Sequence, residues 1–174
     1  FFSLYANIDG FSSEKEIIES ATKLILPGVG SFDNGVEQLN NLDLINVLNK
    51  KVLNQKIPIL GICLGMQLMT KSSDEGRLSG LGWIDAVTKK FSFENFSDLK
   101  IPHMGWNFIK TNKNHMLFKN LINDSRFYFV HSYYVLCNDK SNSIATTRYG
   151  IDFTSAFARD NIIATQFHPE KSHK

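Results

Sequence analysis

The sequence predicts an α/β fold: an open, mostly parallel sheet flanked by helices, with an antiparallel extension. Two short apolar runs, Lys23–Pro27 and Ile57–Ile62, end at glycine-containing turns and are each followed by residues with helical periodicity. Strand–helix–strand order of this kind calls for parallel pairing, because the helix carries the chain back across the sheet. From Trp83 onward the pattern changes to short strand-like segments separated by Asn, Asp, Gly and Ser turns, which predicts antiparallel strands. With 174 residues and no linker, the chain is expected to form a single domain spanning residues 1–174.

The elements follow in order. Phe1, Leu4, Tyr5 and Ile8 recur at helical spacing and predict the tail of a helix. Lys23–Pro27 is a buried strand turning at Gly28-Val29-Gly30. Helices are predicted over Phe32–Leu39 and Leu42–Leu53, the second with an apolar stripe of Leu44, Ile45, Leu48 and Val52. The strand Ile57–Ile62 runs into a helix over Leu64–Met69. Strands are then predicted at Trp83–Phe91, Trp106–Thr111, Arg126–Leu136, Ser143–Tyr149, Thr154–Arg159 and Asn161–Phe167.

Composition excludes several classes. Lys plus Arg number 19 and Asp plus Glu 17, a net charge of +2, too small to grip nucleic acid or anionic lipid. The longest apolar stretch, Ile57–Met69, is interrupted by Pro58, Gly61, Gly65 and Gln67 and is too short to cross a bilayer. Two cysteines, Cys63 and Cys137, do not make a disulfide scaffold, and no Cys/His cluster has metal-ligand spacing. A cytoplasmic protein without metal or cofactor is expected. The lysine pairs Lys50-Lys51 and Lys89-Lys90 read as solvated charges.

Three segments carry chemistry. In Gly61-Ile62-Cys63-Leu64-Gly65 a buried strand passes directly into a helix through G-x-C-x-G, the nucleophile-elbow spacing with Cys in place of Ser. A thiol there sits at a helix N-terminus, where free N–H groups favour the thiolate. A buried structural thiol in an apolar turn has the same sequence. In Gln166-Phe167-His168-Pro169-Glu170, His168 and Glu170 lie two apart on an extended segment and face the same side. A carboxylate there can hold the imidazole as the third member of a triad, although a surface His–Glu pair at a strand end looks alike. Pro27-Gly28-Val29-Gly30 also follows a parallel strand, where open α/β sheets bind ligands. Its N–H groups, with that of Leu64, are suited to an oxyanion hole.

The segments LPGVGSF, GICLGMQLM, SSDEG, PHMGWN, FVHSYY and QFHPEKS occur in that order. Together they resemble class I, triad-type glutamine amidotransferases over almost the whole chain. PGVG and PHMGWN are most similar to the glutaminase subunits of imidazole glycerol phosphate synthase. The resemblance implies Cys63 as nucleophile, His168 as general base and acid, and Glu170 as the residue orienting it. It implies Val29 and Gly30 in the oxyanion strand, with Leu64 completing the hole. Gly28, Gln67, Glu75, His131, Ser132 and Tyr133 match positions that bind glutamine, and Met104, Trp106 and Lys171 match positions facing a (βα)₈-barrel synthase partner. The implied function is glutamine hydrolysis that delivers ammonia to this partner, which makes imidazole glycerol phosphate in histidine biosynthesis. His103 and His131 read equally as structural or as substrate-contacting histidines.

Against the family pattern, an opening strand with a Tyr-Gly-Met-Gly-Asn turn and a closing helix are expected to be missing. Three alternatives remain open at this level: the same glutaminase chemistry serving a surface-sugar amidotransferase, a Cys hydrolase of related fold, and a non-catalytic regulatory subunit.

Overall fold

The computed structural model describes residues 4–6, 11–93, 99–119, 121 and 125–172. In chain order its elements are β1 (Leu4–Ala6), β2 (Phe11–Ser12), α1 (Lys15–Ser20), β3 (Leu24–Gly28), α2 (Phe32–Asn41), α3 (Ile45–Asn49), β4 (Ile59–Cys63) and α4 (Leu64–Leu68). There follow β5 (Ala86–Lys90), β6 (His103–Phe108), β7 (Lys110–Thr111), β8 (Arg126–His131), β9 (Tyr133–Cys137), β10 (Ser143–Tyr149), β11 (Ile151–Arg159) and β12 (Ile162–Thr165).

The main sheet runs β2-β1-β3-β4-β12-β11-β10-β7, with β9 pairing both β11 and β5. Its parallel part is β3–β4–β12, and β4 lies in the middle. The predicted antiparallel extension continues this same sheet through the β11–β12 pair. Strand β4 alternates buried and half-buried residues between two neighbours, which suits its run of Ile, Leu and Gly. Helix α2 buries Phe32, Gly35, Val36 and Leu39, the i, i+3, i+4, i+7 stripe that its sequence carries.

Three local expectations are corrected. The predicted helix tail is a strand over Leu4–Ala6 that pairs antiparallel with β3; Phe1 and Ile8 lie outside the described residues. Periodicity read over so few residues does not separate helix from edge strand. The second long helix ends in a π-helical turn over Lys50–Asn54. That turn directs Lys51 inward, to 6% exposure, and its ammonium donates to the Glu19 carbonyl at 2.7 Å, while Lys50 stays outside beside the Glu19 carboxylate. The predicted strand Arg126–Leu136 is two strands, broken at Ser132, whose carbonyl accepts from Phe91 N–H at 3.1 Å.

Strands β6 and β8 form a separate two-stranded ribbon. It is tied to the segment after β12 by His168 N–H donating to the Tyr128 carbonyl at 2.9 Å, and by Tyr128 N–H donating to Ser172 Oγ at 3.1 Å. One apolar core lies between the sheet and α1–α4. A second, aromatic core of Phe91, Phe129, Phe153 and Phe167 supports the ribbon. No helix of the described residues is long and apolar enough to cross a membrane.

Helix α4 packs so closely on β3 that a Cβ built on Gly65 would stand 1.7 Å from the Leu26 carbonyl oxygen. Backbone cannot yield there as a side-chain tip would. Gly65→Ala is therefore expected to cost about 3 kcal/mol or more. A urea-unfolding midpoint equal to that of the parent would show that α4 does not need this approach.

Candidate active site

Cys63 is the last residue of β4 and the cap of α4, with φ 55° and ψ −110°. L-residues rarely adopt positive φ, and such strain concentrates at functional turns. The residues two positions to either side, Gly61 and Gly65, permit the turn because they lack side chains. A Cβ on Gly61 would meet Met69 Cε at 2.9 Å and the Met66 nitrogen at 3.0 Å.

Parallel register then brings the other segments to Cys63 from both sides. Gly28 is the partner of Cys63 across the β3–β4 pair, so the Gly28-Val29-Gly30 loop leaves the sheet beside the thiol. Val29 is 70% exposed and Gly30 has φ +101°. On the opposite side Thr165 pairs with Ile62, and three residues later the chain reaches His168.

His168 is 4% exposed, and its Nδ1 lies 2.7 Å from Glu170 Oε1. The carboxylate accepts, so Nδ1 carries a proton, and in the neutral ring Nε2 keeps its lone pair. That Nε2 is buried and has no hydrogen-bond partner among the described residues. A buried imidazole nitrogen with a lone pair and no partner is a ready proton acceptor.

The thiol does not rest as the thiolate that the helix N-terminus led us to expect. Burial pushes it up to about 11, against the opposing pull of the Leu64 N–H, the Lys171 charge and Gln166; the Glu170 charge pushes it the same way as burial. A five-residue helix offers too small a dipole to offset that burial.

The remaining predicted residues fall into two groups. Gln67 is 5% exposed and donates from Nε2 to the Tyr133 carbonyl at 3.2 Å and to Gln166 Oε1 at 3.0 Å. Glu75 accepts from Phe32 N–H at 2.8 Å, which ties its loop to the start of α2 just past Gly30. Asp33 reinforces the tie by accepting from the N–H groups of Arg77 and Leu78. Burial and the charges of Glu75 and Asp74 raise the Tyr133 hydroxyl pKa, which places Tyr133 on this acidic side. His131 uses both ring nitrogens inside the protein, Nδ1 with the Tyr133 carbonyl and Nε2 with His103. Ser132 sits in the bend between β8 and β9.

Met104, Trp106 and Lys171 lie together on the outer face of the β6–β8 ribbon. Met104 and Trp106 are 62% and 49% exposed, Trp106 stands edge-on to Tyr128, and the Lys171 ammonium lies over the same Tyr128 ring at 5.8 Å. Gln166 went unassigned in the sequence, although it lies in the QFHPE segment. Its side chain is fully buried, and its Nε2 is 3.8 Å from Cys63 Sγ. The signal was its position two before His168, on the same side of an extended chain. Among the described residues no group of three or more His, Cys, Asp or Glu side chains is placed to hold a metal.

The family described as glutamine amidotransferase class-I matches residues 3–174, and the chain belongs to that family. It is 60% identical over 163 residues to imidazole glycerol phosphate synthase subunit HisH 2 of Methanococcus maripaludis, covering 94% of this chain and 80% of that one. It is 47% identical to the HisH 2 subunit of Pseudomonas aeruginosa, with the same two coverages. Among solved structures it is similar to a glutamine amidotransferase from Thermotoga maritima, with TM-score 0.62, 19% identity, and 86% and 56% of the two chains covered. It is also similar to the glutaminase domain of Trypanosoma brucei CTPS with bound acivicin, with TM-score 0.62, 18% identity, and coverages of 90% and 66%.

The two buried histidines make stability depend on pH. Burial lowers His103 to about 4 and His131 to about 3, from the ordinary 6.5. As pH falls below 6.5 the unfolded chain takes up these protons before the folded one, so folding weakens until about pH 4 and then about pH 3. The urea midpoint is expected to drop between pH 7 and pH 4.5; a level midpoint across that interval would mean that the histidines are not held neutral.

Proposed function

We propose that this chain is the glutaminase subunit of an imidazole glycerol phosphate synthase, a single domain over residues 1–174 that works in the cytoplasm beside a (βα)₈-barrel partner. The observation that carries the reading is the meeting, at the carboxyl ends of three adjacent strands, of the strained Cys63, the Gly28–Gly30 loop and the His168–Glu170 pair. The family membership and the names of its relatives support the same reading.

The resting thiol is protonated, so its proton must leave as the sulfur attacks. Nε2 of His168 is the acceptor. Sγ bonds to the carbonyl carbon of the glutamine γ-carboxamide (Cδ), and the carbonyl electron pair moves onto oxygen, facing N–H groups around Val29 and Gly30. His168 returns the proton to the amide nitrogen, the C–N bond breaks, and ammonia leaves a γ-glutamyl thioester. Water then adds, its proton passing to His168, and glutamate departs as Cys63 regains its proton. Gln67, Glu75, Ser132, Tyr133 and the His131 strand hold the amino-acid end, with the Glu75 carboxylate suited to its ammonium group. Ammonia passes to the partner seated on Met104, Trp106 and Lys171. Every group that this chemistry needs is a side chain or a backbone N–H.

Cys63→Ala is expected to remove glutamine-dependent synthesis by roughly a thousandfold or more, while ammonium-dependent synthesis by the complex survives. Glu170→Gln is expected to be milder than His168→Ala, because Glu170 orients the ring and transfers no proton itself. Steady-state glutamate release by the reconstituted complex measures the glutamine-dependent losses, and synthase product formed from added ammonium measures the activity that survives. Turnover of Cys63→Ala within tenfold of the parent would remove the nucleophile assignment.

The exposed Val29 between two glycines can present either its N–H or the preceding carbonyl to the oxyanion. Partner docking is expected to favour the N–H and to raise kcat by about two to three orders of magnitude, the worth of one oxyanion donor, with less effect on KM. Equal kcat for the chain alone and in complex would mean that the loop is preformed.

A further inference from the structure

The Tyr133 carbonyl can only accept hydrogen bonds. It takes one from His131 Nδ1 at 2.7 Å and one from Gln67 Nε2 at 3.2 Å. These two bonds set the polarity of everything attached to them. With its proton on Nδ1, His131 must accept at Nε2, so the His103 Nδ1 that lies 3.0 Å away must be the donor. His103 Nε2 is then an acceptor, and the Asn107 amide donates to it at 3.1 Å. Asn107 is fixed in turn, because its Nδ2 also donates to the Arg148 carbonyl at 3.0 Å and its Oδ1 accepts from Phe108 N–H at 2.8 Å. The His103 ring is stacked between Phe129 and Tyr149, at centroid distances of 4.8 and 4.1 Å, which holds its plane.

On the other side of Tyr133, Gln67 has one hydrogen left. It goes to Gln166 Oε1 at 3.0 Å, so the Gln166 amide must turn its Nε2 towards Cys63 Sγ at 3.8 Å. Gln166 is completely buried and has no solvent alternative. An amide with its oxygen towards the sulfur would oppose the negative charge that forms during attack; the nitrogen assists it.

We propose that Gln166 is a positioning residue for the Cys63 thiol, its polarity set by the Tyr133 carbonyl through Gln67, and that the same carbonyl fixes the tautomers of His131 and His103 on its other side. This rests on reading Cys63 as the nucleophile. Other groups acting on the thiol are the Leu64 N–H, the charges of Glu170 and Lys171 and, in the proposed mechanism, His168 Nε2, and the tests leave all of them in place.

The first test is the pH dependence of Cys63 alkylation by iodoacetamide, followed by mass spectrometry of the Cys63 peptide in the full chain. Gln166→Met removes the donor at similar volume. Gln166→Glu keeps an acceptor for Gln67 and turns an oxygen towards sulfur. The thiol is expected to ionise at higher pH in Gln166→Met than in the parent, and at higher pH again in Gln166→Glu. In complex with the synthase partner, Gln166→Met is expected to lose about tenfold or more in kcat with KM changed less than about threefold, the scale of one hydrogen bond to a charged group. Alkylation reads the thiol whether or not glutamine is hydrolysed, so its outcome is separate from that of the proposed function. A Gln166→Met thiol that ionises as in the parent overturns the proposal, as does an unchanged kcat. The second test needs no substitution. Side-chain ¹⁵N resonances of the ¹⁵N-histidine-labelled chain are expected to show His103 and His131 both neutral and both protonated on Nδ1. A proton on Nε2 in place of Nδ1 would leave the Tyr133 carbonyl without its His131 donor, or His131 Nε2 without its His103 donor, and either result overturns the assignment of both tautomers to this carbonyl.

Discussion

The close seating of α4 on β3 is the constraint on which the site depends. Gly65 lies against the Leu26 carbonyl at a distance that admits no side chain. With the helix pressed there, the chain leaving β4 has a single residue in which to reverse, and Cys63 takes a positive φ to do so. That strain is held by the packing of Met66, Leu68 and Met69 in the main core, all at 0% exposure. Parallel register then decides which segments flank the thiol. Because Gly28 is level with Cys63, and Thr165 with Ile62, the loops after β3 and β12 emerge on its two sides with no further instruction.

Burial both creates the site and burdens it. It excludes water from His168 and leaves Nε2 with its lone pair free. The same burial raises the thiol to about 11, so a resting thiolate is not available near neutral pH. The two effects fit together if ionisation is deferred to the moment of attack, when the His168 nitrogen takes the proton and Glu170 steadies the resulting imidazolium. A thiol kept protonated at rest is also a poor target for adventitious oxidants and electrophiles.

Sequence reasoning reached the α/β class, the central strands and helices, and the segments that meet at Cys63, because each rests on a local pattern: an apolar run closed by glycine, a 3.6-residue stripe, a two-residue alternation. It failed where tertiary context decides. Leu4–Ala6 is a strand because β3 offers it an edge, which no window around residue 4 records. Lys51 is buried because a π-turn rotates it towards the Glu19 carbonyl, whereas the sequence shows only two adjacent lysines. The thiol's acidity was misjudged because a motif gives the presence of a helix N-terminus but neither its length nor the depth of burial. Gln166 was passed over because its partners, Gln67 and Cys63, lie about a hundred residues away in sequence.

The antiparallel extension shapes the site as much as the parallel strands do. Strand β9 opens with Tyr133, whose carbonyl collects the hydrogen bonds of His131 and Gln67, and β8 ends at His131 itself. The ribbon that presents Met104 and Trp106 outward buries His103 on its other face, two residues' alternation being enough to separate the two roles. The aromatic core beneath, with Phe129 stacked on His103 and Phe153 packed against His131, keeps both rings dry and therefore neutral. A dry, neutral imidazole has one donor and one acceptor, and only in that form can it pass a hydrogen-bond direction along a chain of partners. Protonated, each would become a donor at both nitrogens, and the facing nitrogens, 3.0 Å apart, would repel. The apolar packing of the second core is thus the condition for the ordered hydrogen bonds of His131, His103 and Asn107, while the outer face of the same ribbon stays exposed.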